Sequence, residues 1–135
     1  MVNKALAKDY FKRAKIRFNV LQTYMKERDY ADVIRESQEI VELIQKALLI
    51  NMEIDPPKWH DVIDIIIENI EKIPVKFHSE IKNLVTSSKW LRREREISFY
   101  GDMDYLPLSD YSEDDAIKAI ETAERFIKIA EGVFN

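Results

Sequence analysis

A chain of 135 residues is long enough for one domain with a core of its own, burying about two thirds of its unfolded surface. Hydrophobic residues make up 46% and charged residues 34%, which excludes disordered and fibrous classes, and two glycines with four prolines favour an all-α fold. The net charge of −4 excludes a general attraction to nucleic acid or membrane, so any such contact must use a local basic patch.

The first helix is expected from Asn3 to Lys26, with Leu6, Tyr10, Ala14, Phe18, Leu21 and Met25 as its apolar stripe. Lys8, Lys12, Arg13, Lys15 and Arg17 fall on its other faces and read as a solvated surface. Asp29 is the expected N-cap of a second helix, Tyr30 to Ile50, and the short connection makes the pair an antiparallel hairpin. Glu42 and Lys46 form an i,i+4 ion pair in the favourable order. Asp55-Pro56-Pro57 breaks the chain before a short third helix, His60 to Lys72, whose isoleucines cover more than half its circumference. A strand reading of this β-branched run fails because nothing else in the chain can pair with it. Pro74 opens a fourth helix, Val75 to Phe99, with Ile81, Leu84, Val85, Ser88 and Leu91 inward and Gly101 as its terminator. Asp102 to Tyr111 reads as a loop, and Ser112 with Asp115 forms a capping box for a last helix ending near Val133. Its expected stripe is Ala116, Ile120, Ala123, Ile127, Ala130 and Phe134.

No cysteine is present, so disulfides and thiolate metal sites are excluded. The N-terminal stretch lacks a signal-peptide h-region and no apolar run is long enough to span a bilayer, so a cytoplasmic protein without membrane contact is expected. Charge density and isoleucine content hint at a thermophilic source.

The stretch with the most chemistry is WLRREREISFYGDMD, Trp90 to Asp104. Arg92 and Arg95 are three apart and continue the side of Ser88, Leu84 and Ile81, which places guanidinium groups in line with the apolar seam. Either they hold a phosphate in a bidentate way, or they pair with Asp102, Asp104 or Glu42 to fasten the helix. Lys89 and Arg93 are expected to point outward. Tyr100 and Phe99 can stack on a base or pack at a rim, and Trp59 and Trp90 read as core or interface anchors. His60 reads as a cap and His78 as a surface residue; neither has the partners a metal site needs.

The order of these features resembles the HEPN family (higher eukaryotes and prokaryotes nucleotide-binding), in its compact prokaryotic or archaeal form. The residues that carry the resemblance are ELIQKAL on the second helix, Pro57-Lys58-Trp59-His60 before the third, and the arginine-rich run into Ser98-Phe99-Tyr100-Gly101-Asp102. What the resemblance implies is a five-helix up-and-down bundle with a short third helix, often a homodimer. It also implies a minimal nucleotidyltransferase as partner, in a toxin–antitoxin-like pair, with no cofactor. Ribonuclease members carry R-x(4–6)-H at the end of the fourth helix, the arginine steadying phosphate charge and the histidine moving protons. In this chain no histidine follows Arg92, Arg93 or Arg95, and Tyr100 stands where it would be. A phenol keeps its proton at neutral pH and is a poor general base, so the departure falls on the proton-transfer half of that chemistry and leaves the arginine-dependent binding half in place.

The leading expectation is a binding or regulatory module that takes nucleotide or RNA phosphate through Arg92, Arg95, Ser98, Tyr100 and Asp102. One alternative is a metal-independent ribonuclease using Arg95 and Tyr100; the other is a structural dimer with no ligand.

Overall fold

The protein is described from a computed structural model at residues 3–58, 61–101 and 106–134, and of Glu96 and Phe99 the backbone alone. These residues are all-α, with no strand among them. Helix α1 (Lys4–Lys26) starts where the Asn3 side-chain oxygen accepts the Leu6 N–H at 3.0 Å. Its buried line is Ala7, Ala14 and Leu21, a step round from the expected stripe, and Leu6 stays exposed. Small residues seven apart let α1 lie close against its neighbour, so the larger side chains flank the contact instead of centring it.

Arg28, at φ 57, turns the chain through the left-handed region without a glycine. Asp29 then caps α2 (Tyr30–Asn51), its Oδ1 accepting the Asp32 N–H at 3.1 Å. Helix α2 is the centre of the molecule. It packs along α1 and along the two long helices that follow, and Val33, Ile34, Ile40, Val41, Ile44 and Leu49 are fully buried.

Helix α3 (Val62–Glu68) is shorter than expected. The Asn69 side-chain amide donates to the Ile65 carbonyl at 2.9 Å, and Ile70–Lys72 forms a separate 3₁₀ turn that sets Ile73 into the core. β-branched residues hold a helix weakly, and here the burial of Ile73 decides the path. A second 3₁₀ turn, Val75–Phe77, occupies the expected start of the fourth helix, so α4 runs His78–Tyr100. Gly101 ends it at φ 72 and ψ −171, a conformation restricted to glycine. The stretch expected as a loop contains a one-turn helix, α5 (Pro107–Asp110), opened by proline at its first position. The fold therefore has six helices among the described residues, the extra one being this single turn.

Helix α6 (Glu113–Phe134) opens on the expected reciprocal box: Asp115 N–H donates to Ser112 Oγ at 3.1 Å, and Ser112 N–H donates to Asp115 Oδ2 at 3.0 Å. Its buried face is wider than the expected stripe, adding Ala119, Phe126 and Ile129, because it meets both α2 and α4. No helix among the described residues is long and apolar enough to cross a membrane.

Candidate functional site

The buried line of α4 is Ile81, Leu84, Ser88 and Leu91, in alternating steps of three and four, with Ser98 seven residues on. Arg95 falls on that line by register, and Leu91 separates it from Ser88. Yet the Arg95 side chain is 53% exposed and that of Arg92 is 40% exposed. The side of α4 is the one expected, and the long stems carry the charges outward past the seam, leaving both guanidinium groups partly covered.

Both are held by acids from other elements. Arg95 Nε donates to Glu39 Oε1 of α2 at 2.6 Å, and Arg92 Nη1 lies 3.8 Å from Asp61 Oδ1 at the cap of α3. Neither acid was among the partners expected from the sequence, and Glu42 instead pairs with Lys46 at 3.9 Å. Glu39 is 56 residues away and Asp61 lies across a turn, so only the fold brings them to the arginines. Lys89, expected to point outward, joins this edge, with its Nζ 2.9 Å from Asp64 Oδ1 and 3.5 Å from Asp61 Oδ2. The hydrogen bond that Lys89 donates to Asp64 raises its pKa, and the nearby Asp61 charge adds to it. Three cations from α4 thus face three acids from α2 and α3 along one edge.

The other named residues separate from that edge in different ways. Ser98 is buried, and its hydroxyl donates to the Arg95 carbonyl at 2.9 Å, so it faces inward. Tyr100 is 75% exposed at the helix end. Asp102 and Asp104 lie outside the described residues, as do His60 and Trp59. His78 Nε2 is 2.6 Å from the Ile73 carbonyl oxygen at the opposite end of α4. Twenty-two residues of helix, about 33 Å, separate it from Tyr100. Trp90 is half-buried, with Lys118 Nζ of α6 over its ring at 4.2 Å. Its anchoring role is between helices of one chain.

Glu94, on the other flank of α4, accepts the Tyr111 hydroxyl at 3.1 Å and ties α4 to the entry of α6. Gln45 of α2 donates to Ser88 Oγ at 2.7 Å within the seam. These contacts fix α4 against α2 on one side and against the entry of α6 on the other. Among the described residues no three His, Cys, Asp or Glu side chains gather as a metal site.

The chemistry that such an edge offers is that of guanidinium groups toward oxyanions. A phosphate approaching it would exchange with Glu39 or Asp61 for the guanidinium groups, and a planar fork suits two phosphate oxygens. No curated protein and no solved structure matches the chain. The model of the HEPN domain matches residues 7–133, nearly the whole length. With its all-α architecture, the chain belongs to the HEPN domain family.

Proposed function

We propose that this HEPN-domain chain is a binding and regulatory module, a homodimer that partners a minimal nucleotidyltransferase in a toxin–antitoxin-like pair. In this reading it takes nucleotide or RNA phosphate at the end of α4. Family membership supports a regulatory or ribonuclease-type role in general. The observation that carries the choice between them is the state of Arg95: more than half exposed, and held by a carboxylate on another helix. Exposed ion pairs are worth only about 0–1 kcal/mol, so a phosphate of higher charge can displace Glu39. The ribonuclease reading lacks support at the proton-transfer step, since no histidine follows the arginines and His78 is engaged at the far end of α4.

The ion pairs themselves favour a second reading, in which Arg92 and Arg95 are structural ties and bind nothing. Fluorescence anisotropy with labelled single-stranded RNA, and competition by ATP, separates the two. Salt-sensitive binding is expected, with Arg95→Ala weakening it about tenfold, which equals ~1.4 kcal/mol. Arg95→Lys should recover part of that, keeping the charge without the fork. Melting temperature should move by no more than a few degrees. If the wild type binds neither RNA nor ATP at low salt while Arg95→Ala melts far lower, the structural reading replaces this one.

The same labelled RNA, incubated with the protein and EDTA at neutral pH, should remain intact. Cleavage that disappears on Arg95→Ala or Tyr100→Phe would restore the ribonuclease.

A further inference from the structure

Two glutamines of α2, Gln38 and Gln45, are seven residues apart and share one face of the helix. Both are buried, at 5% and 3% exposure. Their hydrogen bonding differs. Gln45 donates to Ser88 Oγ of α4 at 2.7 Å, while no group donates to Gln38 Oε1. Among the described residues the only other buried side-chain atom in that condition is Ser37 Oγ. A buried acceptor without a donor has given up its hydrogen bonds to water and recovered none, so it costs the fold.

The register of the helices places a donor opposite it. Helices α2 and α4 run antiparallel: Gln45 meets Ser88, and Glu39, earlier on α2, meets Arg95, later on α4. Moving seven residues back from Gln45 and seven on from Ser88 gives Gln38 and Arg95. These two are therefore at one level, on the faces that the helices turn toward each other. The Arg95 guanidinium passes Gln38 by and goes to Glu39, the next residue of α2. There its Nε and Nη2 both lie on the single oxygen Oε1. A fork spent on one oxygen is poorly matched, because its two N–H groups suit two oxygens of one anion.

We infer that Gln38 positions Arg95 for its anion. The inference rests on the reading of Arg95 as an anion site and names the residue that aims it. An anion that displaces Glu39 takes the outer fork of the guanidinium, which has further N–H groups to spare. One of these turns to Gln38 Oε1, so the buried acceptor gains a charged donor as the anion binds. The amide is neutral, and it orients the guanidinium without competing for its charge. Glu39 does compete. Adjacent residues of one helix thus act on Arg95 in opposite senses, the carboxylate holding it shut and the amide holding it ready.

Fluorescence anisotropy of the whole chain with labelled single-stranded RNA at low salt reads both residues. Gln38→Met keeps the length of the side chain without the acceptor, and should weaken binding about fivefold. Glu39→Gln removes the competing charge and should tighten binding about threefold. In an Arg95→Ala background, Gln38→Met should change binding by less than about twofold, because its effect passes through the guanidinium. Thermal melting gives a second readout. Gln38→Met should melt no lower than the wild type, since it takes an unmatched acceptor out of the core. Stability and binding then move apart, which a glutamine serving only the fold would not show.

A Gln38→Met protein that binds RNA as the wild type does overturns the positioning role and leaves the anion site standing. An equal loss with and without Arg95 also overturns it, as the effect then bypasses the guanidinium. Melting far below the wild type shows that the amide already serves the fold, and the role fails. Weaker binding in Glu39→Gln shows that the carboxylate belongs to the site, and the opposed action fails. A wild type that binds no RNA removes the anion site itself, and this role with it.

Discussion

Arg95 shows how far a single position can be read from a sequence. Its spacing from Ser88 and Leu91 places it on the core line of α4, and that much is legible. Its guanidinium nevertheless lies outside the core against Glu39, because a stem of three methylenes reaches past the seam. The partner could not be found by spacing, since it comes from a different helix. Asp29 is the converse case. Its capping role is plain from the sequence, but its chemistry depends on burial at the α1–α2 turn. Burial first, and then a hydrogen bond with the Asp32 side chain, push its pKa up to about 6. The folded state thus binds this proton more tightly than the unfolded chain, whose aspartates titrate near ~3.9. The stability it contributes is fully present below about pH 4 and lost as pH rises through about 6. An asparagine in its place would cap the helix equally well and not titrate. Melting curves from about pH 4 to 8 should therefore show the wild type gaining on Asp29→Asn as pH falls from about 6 to 4. Parallel curves would mean that Asp29 keeps an ordinary pKa.

At the scale of elements, the four long helices were legible from periodicity and the short pieces were not. A single turn such as α5 has no period to detect, and its one sequence mark is Pro107. The split of the third helix into α3 and a 3₁₀ turn follows from where Ile73 must be buried, a tertiary demand that propensity does not carry. Both glycines have definite jobs. Gly101 supplies the backbone turn that ends α4, while Gly132 gives close approach: a Cβ there would stand 2.3 Å from Cζ of Phe77. Gly132→Ala should gain about 1 kcal/mol of helix propensity but lose ~1–3 kcal/mol to overpacking. The net expectation is a melting temperature a few degrees lower, recovered in Gly132→Ala with Phe77→Leu. A Gly132→Ala protein melting at or above the wild type would mean the ring swings clear at no cost.

For the molecule as a whole, the arrangement around α2 sets what can communicate with what. Helix α1 touches α2 along its length, α4 approaches α2 from another side, and α6 bridges them. The all-α class and its family were legible because amphipathic period and element order survive in one sequence. The arginine edge was legible only in part, because a surface of paired charges depends on which helices become neighbours. Phe11 and Phe134 sit edge to face at 5.5 Å, and Lys4 and Lys8 share a hollow with Val133 and Phe134. The two ends of the described chain therefore emerge together, beside Ala47 and Ile50 of α2. Glu39, the partner of Arg95, lies eight residues along α2 from Ala47, about 12 Å, near the middle of that helix. The bundle thus has an anchoring pole, with the arginine edge set apart from it on the flank. Anything tethered through either terminus, whether a chip surface, a dye or a second domain, would hold the molecule by that pole and leave the flank facing solution.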